Sequence, residues 1–157
     1  MKSRSLWPYR APNWRIVPSN VSVECPNCRS EAFFALAKMV RIRKREIPFF
    51  NNSKLFEYVI DKQHIYGYPH WAVRFHGLVV SRAITVDDIP EGYDPNLWNP
   101  TDYAAGRRHK LGTIVCPNCH LRRKHELDWP NDAYFQTELK GHRLWAYDRA
   151  SLVELIE

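Results

Sequence analysis

Glycine is scarce in this chain. Six glycines in 157 residues leave no Gly-rich loop of the kind that cradles phosphates or dinucleotides. No nucleophile elbow and no zincin motif is present either. No run of 18 or more apolar residues occurs, which excludes a membrane-spanning helix. The amino-terminal MKSRSLWPYRAP lacks the apolar core of a secretory signal. It is free of acids up to Glu24, as transit peptides are, but Pro8, Pro12 and Pro18 oppose the amphipathic helix such peptides form. The expectation is a cytoplasmic protein in a reducing interior, without a membrane partner.

What is there is a chain of ordinary domain size, 45% apolar, enough to bury a core. Its formal charge is +6, from 23 Lys and Arg against 17 Asp and Glu. Four metal-bound thiolates and one divalent ion would lower that to about +4. Basic proteins tend to meet polyanions, because each neutralised phosphate releases counterions.

The four cysteines form two identical tetrapeptides, Cys25-Pro-Asn-Cys28 and Cys116-Pro-Asn-Cys119. A two-residue gap lets the chain turn so that both sulfurs face one ion, and two such turns make the four-thiolate shell that zinc prefers. Two disulfides would suit a secreted domain instead. A redox pair needs a single CxxC and leaves the second unexplained. Iron is a further occupant with the same ligand spacing. One structural Zn2+ held by Cys25, Cys28, Cys116 and Cys119 is the expectation. The long stretch between the turns far exceeds the roughly 15–20 residues of a compact ribbon, so the insertion must itself be folded.

Along the chain, residues 1–19 read as an extended arm in which Lys2, Arg4, Arg10 and Arg15 alternate with Trp7, Tyr9 and Trp14. Residues 20–157 read as one domain. Alternation predicts a strand over 20–24, another within Glu31–Arg45, and a third over Leu111–Val115 entering the second turn. Trp71–Val80 reads as a strand with Trp71, Val73 and Phe75 inward and Arg74 and His76 outward. Lys54–Lys62 reads as a short helix capped by Ser53. Thr85–Gly106 is a proline-rich loop with five acids and no Lys or Arg. Its Asp87, Asp88, Glu91 and Asp94 lack the calcium-loop pattern. A hairpin follows over Ala133–Tyr147 around Gly141-His142. Asp148 then caps a terminal helix, with Ser151 and Glu154 as an alternative capping box. No internal repeat extends beyond the cysteine turns.

The two CPNC turns resemble those of zinc-ribbon proteins, and the end of the chain is similar to uncharacterised bacterial members of that superfamily. The resemblance implies a three-stranded sheet around the metal and no single activity. The fold class expected is a β-rich α+β protein: a split four-cysteine zinc ribbon with a long folded insertion, closed by a β-hairpin and a helix. A second resemblance runs from Cys116 to His125. Cys116-Pro-Asn-Cys119-His120, followed by Arg122, Arg123, Lys124 and His125, resembles the closing segment of HNH endonucleases, which implies His120 as ligand of a second, catalytic metal. The upstream Asp-His or His-His pair of that family is missing, since His70 follows Pro69 and His76 follows Phe75.

Three basic clusters complete the inventory: Arg41, Arg43, Lys44 and Arg45; Arg107, Arg108 and Lys110; Arg122, Arg123 and Lys124. Arginines there suit phosphates and nearby aromatics suit bases, against the alternative of a solvated face offset by the acidic loop. The function expected is non-catalytic: binding DNA or RNA, or docking onto a nucleic-acid machine. The alternatives are an HNH-like nuclease and a protein-interaction module stapled by zinc.

Overall fold

The computed structural model of the chain describes residues 20–60, 62, 67, 69–78, 85–94, 98–100 and 110–156. The expected arm at 1–19, along with Arg107 and Arg108, lies outside them. The described residues are β-rich with two α-helices, so the chain is an α+β protein. In order they are β1 (Asn20–Glu24), β2 (Glu31–Leu36), β3 (Lys38–Ile42), α1 (Ile47–Asn52), β4 (Glu57–Ile60), β5 (His70–Arg74), β6 (Asn99–Pro100), β7 (Leu111–Val115), β8 (Arg122–Glu126), β9 (Phe135–Leu139), β10 (His142–Ala146) and α2 (Arg149–Ile156). The sheets run β1-β2-β7-β8, β4-β5-β3-β6 and β10-β9. None of the described helices is long and apolar enough to cross a membrane.

The chain divides into two compact units. One takes the described residues within Met1–Ala35, Ile114–Arg122 and Leu127–Glu157; the other takes those within Leu36–Thr113 and Arg123–Glu126.

In the first unit, β1 pairs antiparallel with β2 from Asn20↔Ala35 to Glu24↔Glu31. Val21 and Val23 are buried as their alternation predicts, and so is Ser22 between them. Ser22 is covered because the end of the chain lies along the free edge of β1. Its N–H donates to the Tyr147 carbonyl at 2.7 Å, and its own carbonyl accepts from Tyr134 N–H at 3.2 Å. The edge is thereby closed to other strands. The C-terminal hairpin turns at Lys140-Gly141, one residue before the expected position, with φ of 50° and 76°. Two left-handed residues give the turn whose twist matches the strands. Trp129 stacks on Tyr147 and Trp145 meets both edge-on, at 5.1 to 5.3 Å between centroids. Asp148 caps α2 as expected, its Oδ1 accepting from Ser151 N–H at 2.7 Å; that bond holds its carboxyl below the usual range.

The second unit departs more from expectation. The strand sought within Glu31–Arg45 is two strands broken at Ala37, whose N–H donates to the Leu111 carbonyl. Lys54–Lys62 is not a helix. The helix is α1, earlier in the chain, while Glu57–Ile60 is strand β4 and pairs with β5. Ser53 makes a local turn instead of an N-cap, its Oγ accepting from Leu55 N–H at 3.1 Å. Tyr58 and Val59 are residues that a strand favours, and pairing with β5 outweighs the helical spacing. The strand β5 is shorter than Trp71–Val80 and is covered on both faces. Val73 is buried with Ala37 and Met39, while Ala72 is buried against Ile42, Phe50, Phe56, Ile89 and Trp98. Consequently Arg74 and His76, expected to face outward, are half-buried.

Candidate metal centre

The two cysteine turns have one construction. β1 ends just before Cys25 and β7 just before Cys116; β2 and β8 start at the same offset beyond, at Glu31 and Arg122. Cys25 N–H donates to the Ser30 carbonyl and Cys116 N–H to the Leu121 carbonyl, both at 2.9 Å. The repeat therefore extends into the flanking strands, although the residues there differ. Pro-Asn between the cysteines gives a turn that needs no glycine.

The turns bring the four sulfurs together, all within 4.8 Å of one another. Cys25 Sγ lies 3.6 Å from Cys119 Sγ, and Cys28 Sγ lies 3.6 Å from Cys116 Sγ. A disulfide needs about 2.05 Å, and all four thiols are free. Cys25 and Cys116 are buried while Cys28 and Cys119 are half-buried. Such a group of thiols is suited to hold a metal ion.

Each turn also reaches into the other. Asn118 Nδ2 donates to Cys28 Sγ at 3.4 Å, and the Asn27 side chain likewise bonds Cys119. The Asn118 amide, helped by Ser30, holds the Cys28 thiol down at about 5. Asn27 and the Leu121 N–H lower Cys119 in the same way. At Cys116 the Cys119 N–H pulls downward, but burial and the adjoining Cys28 and Cys25 sulfurs outweigh it, leaving the thiol at about 11. Negative charge on one sulfur of a close pair opposes charge on the other, and a shared cation removes that conflict. Sequence reasoning gave the two asparagines no role; their identical place in both tetrapeptides was the available signal. Asn27→Ala with Asn118→Ala is expected to weaken metal binding by about 10–100-fold, measured by chelator competition.

Arg29 and His120 occupy equivalent places, directly after each turn, with φ of 63° and 61°. Both are exposed. A left-handed side chain costs roughly 1–2 kcal/mol, so the structure uses these positions as turn residues. Arg29→Gly and His120→Gly are each expected to raise the melting temperature while metal content stays unchanged. Loss of bound metal from His120→Gly would instead make the imidazole a ligand.

The basic residues are dispersed. Arg41, Lys44 and Arg45 are exposed, but Arg43 is committed. Its guanidinium pairs with Glu46, donates to the Glu91 carbonyl at 3.1 Å and lies over the Tyr93 ring. Arg43 holds Glu46 down to about 2, with Tyr93 assisting; Arg45 reaches the same carboxylate at 3.5 Å. Arg122 and Arg123 are exposed on β8, the outer strand of its sheet. Lys124 pairs with Glu57 and lies 4.7 Å above the Phe75 ring. Lys110 is half-buried just before β7. Compared with known proteins, the chain matches no family model, no curated protein and no solved structure.

Proposed function

We propose that Cys25, Cys28, Cys116 and Cys119 hold one structural Zn2+, and that the chain is a non-catalytic module that binds nucleic acid through basic residues beside the stapled turns. The observation that carries the zinc reading is the sulfur geometry. Zn–S bonds of about 2.3 Å in a tetrahedron place sulfurs about 3.8 Å apart, close to the two 3.6 Å separations. Four cysteine ligands complete that shell and leave no position for substrate, which supports a staple over a catalytic ion. The equivalence of His120 and Arg29 supports a turn role for His120 over the second metal of a nuclease.

Arg122 and Arg123 support the nucleic-acid reading. They are exposed on the strand that leaves the second cysteine turn, and an outer strand carrying arginines repels other strands while offering guanidiniums to phosphates. Titrating the metal-loaded protein with DNA and with RNA across a salt series tests it. Affinity that falls steeply with salt is expected, and reversing charge at Arg107, Arg108, Arg122 and Arg123 is expected to weaken it further with the fold intact. Binding that is absent, or indifferent to both, removes the nucleic-acid reading. A partner complex that persists at high salt would point to the apolar Val153, Leu155 and Ile156 exposed on α2.

A further inference from the structure

On the sheet of the second unit, β3 and β5 pair so that Lys38 stands directly opposite Arg74. Like charges at directly opposed positions repel and destabilise a sheet. Two residues beyond Arg74, His76 carries an Nε2 that is sealed from solvent and has no hydrogen-bond partner. All three side chains are half-buried. Among the described residues, no carboxylate pairs with Lys38 or Arg74.

This arrangement is costly as it stands. Burial disfavours the charged form of Arg74. His76 is held toward its neutral form, first by burial and then by the charges of Arg74 and Lys38. A buried donor without an acceptor forfeits the hydrogen bond it made with water, and partly buried charges call for a counterion. Elsewhere in the unit the same chemistry is compensated: Arg43 has Glu46, and Lys124 has Glu57. Among the described residues, Lys38, Arg74 and His76 have no such negative partner.

We propose that Lys38, Arg74 and His76 form an oxyanion site that takes a phosphate group. The planar guanidinium of Arg74 is suited to two oxygens at once, and the Lys38 ammonium supplies a point charge to a third. Neutral His76, in the tautomer with its proton on Nε2, donates the hydrogen bond that is otherwise unmade. Binding turns the repulsion between β3 and β5 into a shared attraction. The site requires only a phosphate group, free or within a polynucleotide, and does not depend on the nucleic-acid reading above.

Inorganic phosphate is the probe, added to the full metal-loaded chain at constant ionic strength with chloride as the balancing anion. Saturable binding by calorimetry is expected, together with a rise in melting temperature. Arg74→Gln and Lys38→Met are each expected to reduce affinity by about tenfold or more. Each is also expected to raise the melting temperature in phosphate-free buffer, because half of the repelling pair is gone. Lys54→Gln, at an exposed position outside the site, should change none of these. A wild type that does not bind phosphate, or an Arg74→Gln protein that binds as well as wild type, overturns the proposal.

Should the variants fail to fold, the wild-type imidazole decides, since the Nε2 resonance of His76 must shift as phosphate is added. A fixed resonance overturns the site. A single-stranded oligonucleotide separates the sources. Displacement of bound phosphate by the oligonucleotide assigns the site to a polynucleotide backbone, and retention of phosphate assigns it to a free phosphate or phosphomonoester.

Discussion

Cys116→Ser is expected to abolish metal binding and to unfold the strands around the two cysteine turns. Cys116 is 1% exposed and Cys25 is 0% exposed, so a hydroxyl at either place exchanges a buried thiol of the four-sulfur cluster for a poorer metal ligand. Structural zinc contributes on the order of 10–16 kcal/mol of apparent free energy in small finger peptides. Whole domains are stable by only about 5–15 kcal/mol. Losing most of the first quantity exceeds what the few buried side chains of β1 and β7 can offset. The same result is expected from removing the metal with a strong chelator.

Amide exchange is the discriminating measurement. Protection in β1, β2 and β7 should collapse in Cys116→Ser and in the chelated wild type alike, and return in the latter when zinc is restored. Asn118→Ala should weaken the site without emptying it at saturating metal, because it removes one donor to Cys28 and leaves every ligand in place. If the chelated protein kept its protection, the four cysteines would be a passenger on the fold, and the staple reading would fall.

The cysteine cluster was the most legible part of the sequence, because its information is local and discrete. Four cysteines in two identical tetrapeptides admit few arrangements, and strands β1 and β7 could be placed to the residue since each leads straight into a turn. Asp148 was legible for the same reason: a capping side chain acts within three residues of itself. Elsewhere, local pattern and tertiary pairing competed. Lys54–Lys62 carries apolar residues at helical spacing, yet Tyr58 and Val59 stand opposite Ala72 and Trp71 of β5, and nothing within the segment announces that partner. Ala37 interrupts an apparently continuous alternation because its N–H bonds a residue far along the chain, a non-local event. Arg74 and His76 were assigned to the surface by period-two reasoning, which assumes a strand with one wet face. β5 is covered on both sides, so its charged residues are enclosed. The basic clusters were read as units from sequence proximity, whereas Arg43 also reaches the Glu91 carbonyl and Lys124 pairs with Glu57, both distant in sequence.

Phe50→Ala is expected to cost about 3–5 kcal/mol, the largest effect of any substitution in the second unit. Phe50 is 0% exposed and is the one buried residue of α1. That helix has six residues, well short of the roughly 12–15 that persist alone in water, so packing must hold it. The packing is aromatic. Phe49, Phe56 and Tyr93 meet the Phe50 ring edge-on at centroid distances of 5.1, 5.4 and 5.6 Å, and Trp98 lies at 6.4 Å. Edge-to-face pairs add about 0.5–1.5 kcal/mol each beyond their buried area. The side chains around the vacated space come from separate segments of the chain, so they are poorly able to collapse together, and the cavity remains. Phe50→Leu should recover part of the loss by filling volume while forfeiting the ring contacts. In urea, with slopes of about 1–3 kcal/mol/M, Phe50→Ala should lower the midpoint by more than about 1 M, with Phe50→Leu between it and wild type. A loss below about 1 kcal/mol would mean that α1 is held by Ile47 and its neighbours instead, and that the ring cluster fills space without anchoring the helix.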